Sequence, residues 1–197
     1  MIDIPTRERV LALLDEWPQG PADAARELLD RYGEPEEAGP SFLLWRSVGP
    51  WKRIVAYRDI VHHDFPLPHG DFLECFVDYR TPVERFSDLA RFHGSVIPER
   101  TKGEVSARCD SEEAARLALN LAHEIVTGNR GVDDARREYA AALVGWKAGR
   151  SHPYLETLTF VQPGTPADPD EVVTAQAVFD VLREKVSEFR AVPERFG

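Results

Sequence analysis

The sequence lacks the signatures of several protein classes. Only two cysteines occur, Cys75 and Cys109, and there is no Cys-x-x-Cys pair or finger-like Cys/His spacing. No apolar run approaches the ~20 residues that cross a bilayer. The first residues mix carboxylates and arginines with apolar side chains, unlike a secretion signal. We therefore expect a soluble, cytoplasmic protein with reduced thiols and no membrane association.

Positive charge is also scarce. Lysine and arginine number 24 against 34 aspartates and glutamates, so the formal net charge is −10. Such a chain is poorly suited to phosphate backbones, and we expect no nucleic-acid partner. Motifs of the type GxSxG, HExxH, GxGxxG and SxxK are absent, so no reaction type is assigned and enzymatic activity is left open.

What the chain does have is the composition of a globular domain. Hydrophobic residues make up 43% of its 197 residues and charged residues 29%, and a chain of this size builds a core without a disulfide or a metal. We predict a single α+β domain over 1–162 and a proline-rich linker over 163–169. The region 170–197 should then form a C-terminal helix that docks on the domain or on a second subunit.

Hydrophobic periodicity predicts a mixed order of helices and strands. Helices are expected at 6–16, 22–32, 82–92, 111–127 (between its N-cap Asp110 and Gly128), 132–148 and 170–190, and strands at 42–47, 51–61, 72–79, 95–98, 104–109 and 155–161. Because the strands cluster in the middle without regular alternation, we expect an α+β fold. Its core is a central, mostly antiparallel sheet of about five to six strands, packed by helices and flanked by N- and C-terminal helices.

Several stretches carry a family resemblance. RYGEP, GPWKRIVAYRD, HHDFPLPH and ERTKGEVSARCDSEEAARLALNLAHEIVTG, within residues 30–155, resemble a family of small bacterial hypothetical proteins with no assigned activity. The resemblance implies a bacterial, cytoplasmic, single-domain protein. It transfers no catalytic role to any residue.

The segment 59–74 is rich in imidazoles and carboxylates. His63, His69 and Glu74 are candidates for acid–base catalysis, and Asp71 is a candidate for ligand binding. A turn between the histidines would bring His63, His69 and Asp71 together, but their spacing matches no metal motif. We therefore assign no metal ligand and no cofactor. The alternative is that these groups only hydrogen-bond a proline-rich connection, which lacks N–H donors.

Strands 72–79 and 104–109 predict two unlike sheet faces. Both cysteines fall on the apolar face and should be buried free thiols. The other face mixes phenylalanines with polar groups typical of a ligand pocket, namely Glu74, Asp78, Glu104, Ser106 and Arg108. On it, Asp78, Ser106 and Arg108 are candidate ligand-binding residues, with Arg108 holding a carboxylate or phosphate. An ordinary half-exposed sheet is the alternative, and in either case we expect Arg108 to pair with Glu74, Asp78 or Glu104.

Two further features have a functional and a structural interpretation. The turn at 99–104 offers cations and backbone N–H groups to an anion, although a plain hairpin turn explains it as well. On the long helix one stripe is polar, and its His123 lies next to Glu124, with which it is a candidate acid–base pair. The alternative is that this stripe is simply the helix's solvated face. Its members are Glu113, Arg116, Asn120, His123 and Thr127.

Two function hypotheses follow from these features. In the first, the protein binds a small, anionic ligand over the polar sheet face, with acid–base chemistry by a histidine or Glu74. In the second, it is a non-catalytic interaction protein that forms a homodimer through its terminal helices.

Overall fold

The computed structural model describes residues 5–161, 171–176 and 178–179. Its elements, in chain order, are α1 (Arg7–Leu14), α2 (Gln19–Tyr32), β1 (Glu37–Ala38), β2 (Phe42–Val48), β3 (Trp51–His63), β4 (His69–Asp78), a 3-10 turn (Val83–Arg85), α3 (Phe86–Phe92), β5 (Val96–Glu99), β6 (Glu104–Cys109), α4 (Glu112–Thr127), α5 (Val132–Lys147) and α6 (Pro153–Glu156).

The strands form one antiparallel sheet in the order β1-β2-β3-β4-β6-β5. This confirms the predicted α+β class and the strand count. The short strand β1 was not predicted. β3 and β4 are longer than predicted, because the strand structure continues to His63 and resumes at His69.

One face of the sheet carries the core. The alternating residues Leu73, Cys75 and Val77 of β4 are almost wholly buried, as are Ala107 and Cys109 of β6. Helices α2 and α4 contact the sheet and contribute to the same core cluster. Burial raises the pKa of both thiols. The prediction of two buried free cysteines is confirmed.

Helix α4 begins one residue later than predicted. Ser111, not Asp110, is its N-cap and accepts a hydrogen bond from the amide of Ala114. Gly128, in the left-handed region at φ 78°, ends the helix as expected. The serine is the better cap in this position because its hydroxyl reaches the free amide of the first turn.

The strand predicted at 155–161 does not form. Helix α6 begins that segment, and the backbone after it bonds to a side chain of α4 instead of to a neighbouring strand. Asn120 Nδ2 donates to the carbonyls of Tyr154 (3.1 Å) and Thr157 (2.7 Å), and its Oδ1 accepts from the amide of Thr159 (2.7 Å). Arg116 donates to the carbonyl of Leu155 (3.0 Å).

The polar stripe of α4 is therefore not a solvated face. Asn120 is fully buried and Arg116 is 8% exposed. His123 Nδ1 pairs with the Tyr79 hydroxyl at 2.8 Å, and its ring stacks on Phe160. The stripe anchors the chain segment that follows α5.

The predicted linker at 163–169 lies outside the described residues. Of the helix predicted at 170–190, residues 171–175 are described and are not helical, whereas 176, 178 and 179 are. Val172 and Val173 are 78% and 95% exposed, so they do not dock on the domain. Within the described ranges no helix has the length and apolar character to cross a membrane.

Candidate metal centre

The candidate site lies on the part of the β3–β4 hairpin that extends beyond the sheet. We call residues 58–71 the arm. Its strands are in register at Val61 with Asp71, His62 with Gly70, and His63 with His69. An irregularity between Ala56 and Val61 separates this register from that of the main sheet.

This register places three of the candidate side chains on one face. Residues directly opposite in an antiparallel pair share a face, as do residues two apart in a strand. His63, His69 and Asp71 therefore point to the same side, and each offers a ligand atom within 4.8 Å of the other two. Asp71 is almost fully buried, while the imidazoles are 16% and 17% exposed.

His69 is held in one tautomer. Its Nδ1 lies 2.7 Å from the carbonyl oxygen of Leu67, to which only an N–H can bond. In the neutral ring the proton is therefore on Nδ1 and the lone pair is on Nε2. That Nε2 lies 3.1 Å from Asp71 Oδ1, so in the neutral state two electron pairs face each other.

Asp71 is buried and only partly hydrogen-bonded. The Ser95 hydroxyl donates to Oδ2, but Oδ1 is buried and has no hydrogen-bond partner among the described residues. Burial opposes ionisation, but His69 and Ser95 outweigh it and hold the pKa of Asp71 below its usual value. The site therefore contains a buried anion whose Oδ1 has a donor only when the neighbouring His69 is protonated.

His63 completes the set from the opposite strand. Its Nδ1 is 3.3 Å from Asp71 Oδ2, yet that buried nitrogen has no partner with hydrogen-bond geometry in the described part of the chain. Burial lowers the pKa of His63, whereas the Asp71 carboxylate raises the pKa of His69. Neutral His63 presents a lone pair to the site in the tautomer that carries its proton on Nε2.

These distances fit a metal ion. Zinc and similar ions bind imidazole nitrogen and carboxylate oxygen at about 2.0–2.2 Å, so neighbouring ligand atoms lie roughly 2.8–3.6 Å apart for angles between octahedral and tetrahedral. The two N···O separations, 3.1 and 3.3 Å, are of that size. A cation between the donors would also satisfy the two buried atoms that lack hydrogen bonds.

His93 lies against the site but is not part of the ligand set. It is fully buried, with its ring centroid 4.8 Å from that of His63. Its Nδ1 accepts a hydrogen bond from the Ser95 amide (3.2 Å), so the neutral ring carries its proton on Nε2 and has no lone pair left. Burial lowers the pKa of His93 to about 3.

Sequence analysis missed His93 and Ser95. They are 22 or more residues from Asp71 and come from the segment before β5. The only local signal was their position at the start of a predicted strand, which does not indicate a site.

The remaining candidates lie elsewhere. Glu74 is three residues from Asp71 in the same strand and therefore on the opposite face. It accepts hydrogen bonds from the hydroxyls of Tyr57 (3.1 Å) and Ser106 (2.6 Å). His63, His69 and Asp71 are thus brought together, while Glu74, Asp78, Ser106 and Arg108 are not near them.

On that opposite face the carboxylates are already paired. Arg53 donates to both oxygens of Glu104, at 3.0 and 2.7 Å, and Lys52 contacts Glu104 and Asp78 at 2.7 Å each. The predicted pairing of Arg108 is wrong, since it forms no ion pair within the described residues and its Nε is buried without a partner. The cations come from β3, which is adjacent to β4.

The turn at 99–104 is a hairpin turn between β5 and β6. The Glu99 carboxylate accepts from the amides of Thr101 and Lys102, at 3.0 and 3.2 Å. Because the protein's own carboxylate occupies these N–H groups, they do not form an anion site.

Comparison with known proteins finds no family model, no curated protein and no solved structure that this chain matches. The assignment of a function therefore depends on the geometry of the site.

Proposed function

We propose that the protein binds a divalent transition-metal ion through His63 Nδ1, His69 Nε2 and the Asp71 carboxylate, and that this ion holds a small ligand. One observation carries the proposal. The Leu67 carbonyl fixes the proton of neutral His69 on Nδ1, so the lone pair of Nε2 faces a buried carboxylate oxygen to which no other described residue donates a hydrogen bond.

The surroundings match what metal ligands require. Metal-bound histidines usually donate their second ring N–H to a carbonyl or carboxylate, which orients the ring and fixes the tautomer. Leu67 has this role for His69, and Ser95 holds Asp71. Two imidazoles and one carboxylate suit zinc and non-haem iron(II), and three protein ligands leave coordination positions open.

The open positions define where the small ligand would bind. Both imidazoles are partly exposed, so the open side of the ion faces solvent. An anionic oxygen of a ligand binds a divalent cation directly, and a bound water has its pKa lowered towards about 7. We therefore propose that the ligand and its acid–base chemistry lie at the arm. On the polar sheet face, Lys52 and Arg53 are neutralised by carboxylates.

Cobalt(II) binding tests the proposal because its visible absorption reports the coordination number. Chelator-treated protein should bind one equivalent, and His63→Ala and His69→Ala should each abolish the absorption. His62→Ala is the matched control, since His62 is the adjacent histidine and, among the described residues, pairs only with the exposed Asp64. Equal binding by wild type and the two ligand variants would refute the metal centre.

Self-association through terminal helices is a second candidate function. It is supported by the exposure of Val172 and Val173 in the C-terminal segment. The N-terminal helix contributes little to it, because Val10 and Leu14 of α1 are fully buried. Deleting residues 164–197 and measuring mass by light scattering tests it, with loss of a full-length dimer as the expected result.

A further inference from the structure

A positively charged side chain without a counter-ion lies beside the proposed metal centre. Arg136 of α5 forms no ion pair within the described part of the chain, although the sequence carries a formal net charge of −10. Its guanidinium carbon lies over the face of the Phe65 ring, 3.9 Å from the ring centroid. The same ring lies 6.5 Å from that of His63 and 5.5 Å from that of His93. One aromatic ring therefore separates this cation from the ligand set.

Two kinds of contact hold Arg136 in place. Its NH1 group donates to the carbonyls of Arg91 (3.2 Å) and Phe92 (2.6 Å) at the end of α3, and its stacking on Phe65 fixes the plane of the guanidinium. These hydrogen bonds use NH1 alone. Nε and NH2 form none with a described residue, and neither atom is fully buried. Capping α3 therefore accounts for NH1 and leaves a pair of donors for a ligand.

The charge of Arg136 acts on the surroundings of the site. Burial is the main cause of the low pKa of His93, and the positive charge of Arg136 lowers it further. A ligand bound at the metal centre, next to His93, would be subject to the same charge. A divalent ion, the Asp71 carboxylate and Arg136 together leave a surplus of positive charge, which a ligand with two negative charges would neutralise.

We propose that the ligand of the metal centre is a small dicarboxylate, with one carboxylate bound to the ion and the other held by Nε and NH2 of Arg136. The inference rests on the proposed function, which supplies the first of these contacts. The second is a bidentate, charge-assisted hydrogen bond, for which the planar guanidinium is suited. Arg136 thus determines which ligands are bound and takes no part in binding the metal.

Competition at bound cobalt tests the proposal. The visible absorption of the cobalt-loaded protein changes when a carboxylate replaces bound water, so acetate, malonate, succinate and glutarate can be titrated in turn. The dicarboxylate of matching length should bind on the order of 10–100-fold more tightly than acetate, because it gains the contact with Arg136. Equal affinity for acetate and for every dicarboxylate overturns the proposal.

The substitution Arg136→Met separates this contact from chelation of the ion by both carboxylates of one ligand. Methionine keeps an apolar side chain over Phe65 but removes the charge and the donors. The affinity for the preferred dicarboxylate should fall by the same 10–100-fold, whereas cobalt and acetate should bind as in wild type. Arg137→Met is the matched control, because Arg137 is the next residue of α5 and pairs with the exposed Asp134. An unchanged dicarboxylate affinity in Arg136→Met overturns the proposal.

A second substitution keeps the test valid if Arg136→Met does not fold. Arg136→Lys retains a positive charge and a donor for the α3 carbonyls but lacks the planar fork. Its fold, checked by circular dichroism, should be that of wild type, and its dicarboxylate affinity should lie below that of wild type while acetate affinity is unchanged. A lysine variant with the full dicarboxylate affinity of wild type overturns the bidentate contact.

Failure of the metal centre itself would give a different result. A wild type that binds no cobalt refutes the proposed function, and this inference with it. A wild type that binds cobalt, but whose preference among carboxylates does not depend on Arg136, overturns this inference alone and leaves the metal centre in place.

Discussion

His69 Nε2 lies 3.1 Å from Asp71 Oδ1, and the two residues are separated in sequence by Gly70 alone. They share a face of β4 because they are two apart, and His63 reaches them from β3 across the hairpin. The site thus depends on a single hairpin register together with support from Ser95.

The first prediction concerns Ser95, whose hydroxyl orients the buried carboxylate. Ser95→Ala should lower cobalt affinity by about 10–100-fold, as removal of a group that orients a ligand does. Unfolding free energy should also fall by about 1–3 kcal/mol, since a buried carboxylate oxygen loses its donor. Calorimetric titration and urea unfolding measure the two effects. Ser87→Ala, at an exposed position of α3, should change neither.

The second prediction concerns pH. The pKa of buried His93 is lowered to about 3, so protonation favours the unfolded state, where an ordinary histidine titrates near 6.5. This contribution to stability is fully present above pH 6.5 and is lost as the pH falls towards 3. Between pH 8 and pH 5 the loss should be about 2 kcal/mol.

His93→Gln should remove that loss, and unfolding titrations of both proteins at several pH values measure it. His63, Asp71, His69 and Arg136 also act electrostatically on His93, and His69, whose pKa is raised, contributes in the opposite sense. The quantity to compare is therefore the difference between wild type and variant. If the free energy of unfolding depended on pH identically in wild type and His93→Gln, the assignment of this pH dependence to His93 would be contradicted.

The third prediction compares two residues of the polar sheet face. Glu104 is 4% exposed and neutralises Arg53 and Lys52. Glu104→Ala should therefore lower the free energy of unfolding by about 2–4 kcal/mol, because it leaves two partly buried cations without this counter-ion. Arg108→Ala should cost less, because no ion pair is lost. Urea unfolding of the two variants measures which substitution lowers the free energy of unfolding more. Arg137→Ala, which breaks an exposed pair with Asp134, should cost under about 1 kcal/mol.

The fourth prediction concerns the segment after α5. Asn120→Ala removes the hydrogen bonds to Tyr154, Thr157 and Thr159, so the backbone at 154–159 should exchange its amide hydrogens faster. Hydrogen exchange with mass spectrometry locates the effect. The control is Asn129→Ala at an exposed position. Unchanged exchange at 154–159 would mean that Asn120 does not anchor the segment.

Much of the fold is predictable because its signals are local. Alternating apolar residues such as Leu73, Cys75 and Val77 identify a strand and its buried face together, and Gly128 marks the end of a helix. The pattern at 155–161 also alternates, yet it forms no strand. Its backbone groups are satisfied by Asn120, which is more than 30 residues away in the sequence, so no local pattern reports it.

The site was predictable only in part. The prolines at 66 and 68 suggested a break in the chain, so the strand was expected to begin at Phe72. A hairpin connection at 64–68 sets His63 opposite His69 and places Asp71 on the same face. The contributions of His93, Ser95 and Arg53 depend on tertiary contacts, which single-sequence patterns do not contain.

Ile60 of the arm crosses directly over Gly70, where a Cβ atom would lie 2.3 Å from Ile60 Cγ2. Any side chain at residue 70 would therefore displace the Ile60 side chain or force the two strands apart between His69 and Asp71. The test is a library that combines every substitution at residue 70 with every substitution at residue 60. Alanine at residue 70 should be compatible with folding only when residue 60 is also small, as in Ile60→Gly. Among the variants with a side chain at residue 70, only such pairs should bind cobalt and show its visible absorption. The substitutions accepted at residue 70 therefore measure how close together the two strands of the arm must lie.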